Sequence, residues 1–406
     1  MTKKPTKTEA KRSVSMLVTT DMENDPRVAR HAETLGSHDF QVTIICPISE
    51  RTRPHEFRTD YEIVRPRSII REALAKVAAR RHVFSIADNT ELASQREYAW
   101  INLIGIAASF FITQLSLVRT AKKQESQIYC ANDFDTLLAT ILSAGLDRII
   151  VYDSHELWPD MMLVPEPVKA LASSIERVLI RRADFVMTVN EFIATELASR
   201  YSLKRVPQVV YNCPRSDALK VHKRRTALKK ALYQGLYAPE RGLENLVKAA
   251  NYLLPDIHLV FRGYGVIEQE LRSLSRGRQN VRFDRPVKMS DLVSAASEAD
   301  VGLIPYLPTN LCNYLASPNK LFEYIQAGLP VVASDIPFMR KLILENDIGL
   351  LFDARDPRSI ANAINRCTRS RVLRRQRANL VSVATRYNWE IESEKLLQSY
   401  AGLHRV

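Results

Sequence analysis

The sequence predicts an α/β protein made of two Rossmann-like, doubly wound domains, each built on a parallel sheet. Three observations carry this. The 406 residues are too many for one ordinary core and suit two. Short β-branched runs alternate with helix-length segments, as strands do when joined by crossover helices. A basic, strand-poor connector, Pro214 to Lys230, divides the alternation into two sets.

In the first set, strands are expected at Ser13–Thr20, Phe40–Pro47, Tyr61–Pro66, Ile128–Asp133, Arg148–Asp153, Asp184–Asn190 and Pro207–Asn212. A helix from Arg27 to His38 follows the first strand, with Asp25 as its N-cap before Pro26. In the second set, strands are expected at Leu228–Tyr237, Ile257–Gly263, Asn280–Val287, Val301–Tyr306, Val331–Ala333 and Gly349–Phe352. Helices at Leu243–Leu253, Ile267–Ser275 and Ser290–Glu298 connect them, and Arg371–Arg386 and Trp389–Leu403 lie beyond the sheet. The expected domains are 1–213 and 214–388, followed by a terminal helix, 389–406.

Composition narrows the partners. The hydrophobic fraction of 46% is that of a globular chain. The five cysteines are scattered without Cys-x-x-Cys or a histidine at ligand spacing, which argues for a reduced, cytoplasmic chain and no structural zinc. No secretory signal is evident before the first strand. A net charge of +13 favours anionic partners. The basic residues form no aromatic-interleaved stripe, which excludes nucleic acid and leaves phosphorylated small molecules and acidic lipid.

Segment 67–127 breaks the alternation. Arg71, Lys76, Arg80 and Arg81 precede Trp100–Val118, which carries no charge. Asn102, Ser109, Thr113, Gln114 and Ser116 lower its hydropathy, so a spanning helix is disfavoured. A buried core helix or a face docked on anionic headgroups remains, and the second implies a peripheral position at the inner face of the cell membrane.

Ligands of doubly wound sheets bind beyond the carboxyl ends of the strands, in a cleft where two such domains face each other. The clearest stretch there is Ser317 to Ser334. Ser317 reads as an N-cap, Pro318 as first turn, Gly328 as the left-handed stop, and Val331 as the start of a buried strand. Asn319, Lys320, Leu321 and Glu323 then lie at the helix N-terminus, a place that attracts anions. Phosphate at Lys320 and a sugar hydroxyl at Glu323 would make a nucleotide-sugar site; a capped helix with a solvated Lys-Glu pair is the plainer account. After the preceding strands come Gly235, then Arg241, able to clamp a diphosphate, and Gly263-Tyr264-Gly265, which allows close backbone approach. The first domain offers Asn132 and Asp133, then Asp153, His155 and Glu156. Asp133-x-Asp135 is too short to count as a metal motif, and Asp135 is expected to cap the next helix. No zincin, Walker or Gly-x-Ser-x-Gly motif is present, and the first strand lacks a dinucleotide fingerprint.

Together these pieces resemble the GT-B glycosyltransferases, specifically glycosyltransferase family four, of group 1 type. The likeness runs in order through Asp25–Ala32, Val151–Glu156, Ala183–Asn190, Arg241–Leu243, Gly263–Gly265 and Pro318–Tyr324. It implies that Arg241 holds the donor diphosphate, that Glu323 binds ribose, that Gly263 and Gly265 lie beneath the donor, that His155 contacts the transferred sugar, and that the helix from Trp389 crosses back to the first domain. It also implies a metal-independent, retaining enzyme without cofactor, taking a nucleoside-diphosphate sugar to a glycan or polyprenyl-linked acceptor. Two positions depart from the family. Its first acidic residue falls on Leu315 and its first basic residue on Leu236, and Lys320 is placed to supply the lost charge. Those departures motivate a rival reading, a non-catalytic scaffold on the same fold. An epimerase is the other rival, with only His155 and Glu156 to serve as acid and base.

Overall fold

The protein is described from a computed structural model covering residues 11–23, 25–66, 110–161, 166–216 and 228–404. Compactness divides the chain into two units. The first comprises Met1–His155, Ser174–Met187 and Ser399–Val406; the second comprises Glu156–Ser173 and Thr188–Gln398.

The strands of the first unit are β1 (Arg12–Leu17), β2 (Phe40–Ile45), β3 (His55–Phe57), β4 (Tyr61–Val64), β5 (Ile128–Asn132), β6 (Ile149–Ser154) and β7 (Phe185–Thr188), the last ending at the unit boundary. Their order is β3-β4-β2-β1-β5-β6-β7. Pairing is parallel from β4 across to β6, with Val14 opposite Val42 on one side and Ile128 on the other. The edge strand β3 is antiparallel to β4, a hairpin the sequence reading did not anticipate. The central strands are buried on both faces, as in a sheet covered by helices. The first helix is Pro26–Gly36, and the Asp25 carboxylate accepts from the Val28 N–H as expected. Of segment 67–127, residues 67–109 lie outside the described residues. Residues 110–122 form a helix whose Leu117 and Ala121 pack with Leu17, Ile45 and Tyr129. Among the described residues, no helix is long and apolar enough to cross a membrane.

The second unit begins with a two-residue strand, β8 (Gln208–Val209). Its sheet is formed by β9 (Lys229–Leu236), β10 (Ile257–Tyr264), β11 (Val281–Asp284), β12 (Val301–Ile304), β13 (Val331–Ser334) and β14 (Gly349–Phe352). The order is β11-β10-β9-β12-β13-β14, and every pair is parallel. Adjacent residues feed opposite cores: Leu232, Val260 and Ile304 one, Ala231, Phe261 and Leu303 the other. Helices Pro337–Glu345 and Pro357–Cys367, which the sequence reading passed over, cover β13 and β14. The five cysteines are buried and none is in a disulfide. In each unit the strand order reverses at one point, between β1 and β5 and between β9 and β12. Ligands of such sheets enter at these reversals.

Candidate functional site

In the second unit the helix Asn319–Gln326 is seated beside β9 and β12 by its apolar face. Leu321, Phe322, Tyr324 and Ile325 are wholly buried. The Tyr324 hydroxyl accepts from the Gln234 N–H (3.0 Å) and donates to the Leu232 carbonyl (3.2 Å), which pins the helix to β9. The C-terminal stop is as expected. Gly328 is left-handed, and the N–H groups of Gly328 and Leu329 return to Ile325 and Tyr324. The N-terminus corrects the sequence reading. Pro318 is extended (ψ 134°), so it occupies the cap position itself, and no side chain caps this helix. The buried Ser317 hydroxyl has no hydrogen-bond partner.

Lys320 points from this helix over the end of β9. A Cβ on Gly235 would lie 3.3 Å from its Cε, and Gly235 has φ of +140°, so this bend both requires glycine and receives the lysine stem. The ammonium is 3.3 Å from the Tyr306 hydroxyl, 5.0 Å from the Tyr306 ring centre and 5.4 Å from that of Tyr233. Arg241 reaches the same Tyr306 ring, its guanidinium carbon 4.1 Å from the centre. Its Nη1 donates to Asn313 Oδ1 (3.3 Å), and Asn313 Nδ2 contacts Glu240 Oε2 at 3.4 Å. Asn310, the cap of helix Leu311–Tyr314, also donates to Glu240 (2.7 Å), tying the Arg241 loop to that helix. Among the described residues neither Arg241 nor Lys320 is in a salt bridge. The nearest fields are those of Glu156 on Arg241 and Glu323 on Lys320. Glu156 Oε2 lies 3.7 Å from Cys312 Sγ, and burial pushes that thiol well above its ordinary range. Two cations held close together without a carboxylate partner make an arrangement suited to an anion.

Around this pair the other expected residues take distinct places. Gln234 Nε2 lies 3.5 Å from Glu323 Oε2, and Gln234 Oε1 accepts from Arg262 at 3.3 Å, so Glu323 belongs to a buried polar network at the end of β9. A Cβ on Gly263 would meet the Gly235 carbonyl at 1.9 Å and one on Gly265 the Tyr237 carbonyl at 2.1 Å, so these loops touch backbone to backbone. Tyr264 between them is 56% exposed and free to meet a ligand. Asn319 is exposed, and its Oδ1 accepts from Asn212 Nδ2 (2.8 Å). Leu321 is a core side chain, leaving only its backbone near the helix start. Leu236 is exposed, and Leu315 is buried with its carbonyl bound by Asn190.

The first unit gathers Asn132, Asp133, Asp153 and His155 at the ends of β5 and β6. His155 Nδ1 is 3.2 Å from Asp133 Oδ2, its Nε2 is 3.2 Å from Asp153 Oδ2, and its backbone N–H donates to Asp133 Oδ1 (2.7 Å). Asp153 is wholly buried and receives Arg27 in a bidentate pair at 2.9 and 2.6 Å. Burial alone would raise the Asp153 pKa, but Arg27 and His155 hold it well below the usual carboxylate range. Burial likewise opposes charge on His155, and Asp133 and Asp153 outweigh it, raising the imidazole well above its ordinary value. His31, buried beside them, is driven down to about 3, by burial first, with Asp153 opposing. Asp135 does not cap the helix Phe134–Ala144. The cap residue is Asp133, whose carboxylate holds His155 and makes no capping bond, and Asp135 instead accepts from the Thr19 hydroxyl. Burial and the neighbouring Asp133 push Asp135 up to about 6. Asn132 Nδ2 donates to the Leu17 carbonyl, joining β5 to β1 (3.1 Å).

Sequence reasoning missed Tyr306, Tyr233, Asn313 and Gln234 in the second unit and Arg27 in the first. Tyr306 was legible in principle, since it follows a strand within two residues, where ligand-facing side chains collect. Asn313 carried no such signal.

Residues 229–370 match the family model described as glycosyl transferases group 1. This stretch is similar to group 1 glycosyltransferases. The matched span contains Gly235, Arg241, Tyr306, Lys320 and Glu323, hence both cations of the pair. A curated relative, the phosphatidyl-myo-inositol mannosyltransferase of Mycobacterium leprae, is 29% identical over 178 residues, 42% of this chain and 46% of that protein. The chain thus matches less than half the length of that relative. Sucrose-phosphate synthase from Thermosynechococcus elongatus superposes with a TM-score of 0.71 at 16% identity, covering 96% of this chain and 98% of its own. Anabaena HepE, solved with UDP and glucose, superposes with a TM-score of 0.68 at 14% identity, covering 96% and 99%. These likenesses establish the fold, which is the two-domain GT-B arrangement of Rossmann-like sheets.

Proposed function

We propose that this chain transfers a sugar from a nucleoside-diphosphate sugar to a glycan or lipid-linked acceptor, in surface polysaccharide or glycolipid synthesis. The observation that carries the reading is the pair of unneutralised cations, Arg241 and Lys320, on one tyrosine ring at the strand-order reversal of the second unit. In this reading residues 214–388 hold the donor, residues 1–213 the acceptor, and residues 389–406 close on the acceptor domain. Arg241 and Lys320 take the two phosphates, the bend at Gly235 and the Gly263-Tyr264-Gly265 loop support them, Asn319 and the Leu321 backbone complete the helix start, and Glu323 takes the ribose.

As the sugar–phosphate bond breaks, negative charge grows on the diphosphate, and both cations stabilise it more in the transition state than before. They supply the charge a metal would, so the transfer is proposed to need none. The nearby Cys312 thiol is buried and its pKa pushed well up, and among the described residues no other side chain is an obvious nucleophile, which favours front-face transfer with retention: the departing phosphate oxygen takes the acceptor proton. His155 has a carboxylate against each ring nitrogen, so it acts as a fixed positive charge and not as a base. Asn132, Asp133, Asp153 and His155 are assigned to the acceptor and transferred-sugar side, and Glu156 to tuning Arg241.

Calorimetry against nucleoside diphosphates and their sugars tests the donor site, starting with UDP, bound by HepE, and a mannose nucleotide, suggested by the mycobacterial relative's name. Binding by the wild type, weakened in both Arg241→Ala and Lys320→Ala, is the expected result; unchanged affinity in both variants would remove the clamp. NMR of the product anomer tests retention. Flotation with anionic vesicles at low salt tests the proposed peripheral position at the inner membrane face.

A further inference from the structure

Arg241 and Lys320 approach one another, and among the described residues no carboxylate is paired to either. Like charges in a partly buried site repel, and without a restraint the two long side chains would swing apart into solvent. What lies between them is Tyr306. It is only 7% exposed, held among Leu321, Ile304 and Tyr324 in the core that seats the Lys320 helix. Its ring meets Arg241 at 4.1 Å and Lys320 at 5.0 Å, both within the range at which a cation is attracted to an aromatic ring. Its hydroxyl also accepts from the Lys320 ammonium at 3.3 Å. Tyr233 adds a second, longer ring contact to Lys320.

We propose that Tyr306 is the positioning residue of the cation pair: its ring gathers Arg241 and Lys320 without cancelling their charge. This rests on the donor-diphosphate reading above. A carboxylate at this position would also gather the two cations, but it would neutralise them and compete with the incoming phosphates. A ring attracts through its quadrupole, carries no net charge, and leaves the outer N–H groups of both cations for the ligand. The arrangement answers the departure at Leu236. With that position apolar and its side chain 54% exposed, the second cation comes from the helix across β12, and Tyr306 is the contact common to both. Tyr306 is not a catalytic residue in this account, because it acts through the two cations.

The test uses the full chain and the nucleoside diphosphate that the wild type binds best. Tyr306→Leu is expected to weaken the diphosphate about tenfold while binding of the matching nucleoside, which lacks phosphates, is unchanged. Tyr306→Phe, which keeps the ring and loses the hydroxyl, is expected to cost about threefold. Combining Tyr306→Leu with Lys320→Met should cost less than the two separate losses multiplied, because they remove one shared interaction. Wild-type diphosphate affinity in Tyr306→Leu would overturn the proposal, as would equal losses for diphosphate and nucleoside, which would mean general collapse of the pocket. Replacing Tyr306 by phenylalanines of increasing ring fluorination keeps the shape and drains the face, so it covers the case in which Tyr306→Leu does not fold. A stepwise fall in affinity supports the role, and a flat series overturns it. If the wild type binds no nucleoside diphosphate, the proposed function fails; if it binds and the ring series is flat, only the role of Tyr306 fails.

Discussion

Each unit presents cations at the carboxyl ends of its strands, and the two sets are compensated in opposite ways. In the first unit Arg27 and His155 are enclosed by Asp153 and Asp133, with contacts from 2.6 to 3.2 Å. In the second, Arg241 and Lys320 have an aromatic ring, an amide and a hydroxyl around them, and no salt bridge among the described residues. Compensated charge spends most of its field inside the protein. Uncompensated charge projects its field outward, where the proposed function puts the diphosphate. Cations at strand ends of two like folds thus differ in the field they present, according to whether the neighbour is a carboxylate or a ring.

The largest effect should come from breaking compensation where it is complete. Arg27→Met leaves the buried Asp153 without its bidentate partner and is expected to cost about 3–5 kcal/mol of folding stability, measured by urea denaturation. Adding Asp153→Asn should recover part of that loss. Next in size is the acid side of the stability curve. Unfolded His31 takes a proton near pH 6.5, whereas the folded group resists down to about 3, so stability falls as pH drops through that window. The loss from His31 should be about 2 kcal/mol by pH 5, and His31→Gln should flatten it. His155 has the opposite sign. Its raised folded pKa contributes stability that is fully present below the unfolded value near 6.5 and is lost as pH rises through the folded value. His155→Gln should therefore flatten the curve above pH 6.5, and, because it removes one of the charges that hold His31 down, it should also narrow the His31 window from its acid end.

The second unit should behave in reverse. Arg241→Ala or Lys320→Ala should change stability by under about 1 kcal/mol, since no buried counter-charge is stranded, yet weaken a nucleoside diphosphate about 10- to 100-fold. A stability loss like that of Arg27→Met would erase the distinction between the units. The smallest expected effect is that of Asn313→Ala. It removes the acceptor on Arg241 but leaves the ring, and should weaken the diphosphate about threefold in the same calorimetric titration.

The amino-acid order by itself determined the two-sheet architecture, because short β-branched runs and helix-length crossovers are local patterns. It also placed Gly235, Arg241, Lys320 and Glu323 near strand ends, since turn glycines and helix starts are local too. It misjudged Ser317 as a cap and Asp135 as another, because a cap bond depends on backbone angles that residue type only favours. What only the tertiary structure decided is which charges meet. Arg27 and Asp153 lie 126 residues apart, and Arg241 and Asn313 lie 72 apart. Such pairs follow from strand order in a parallel sheet, where neighbours in space are set by the crossovers and leave no periodic trace along the chain.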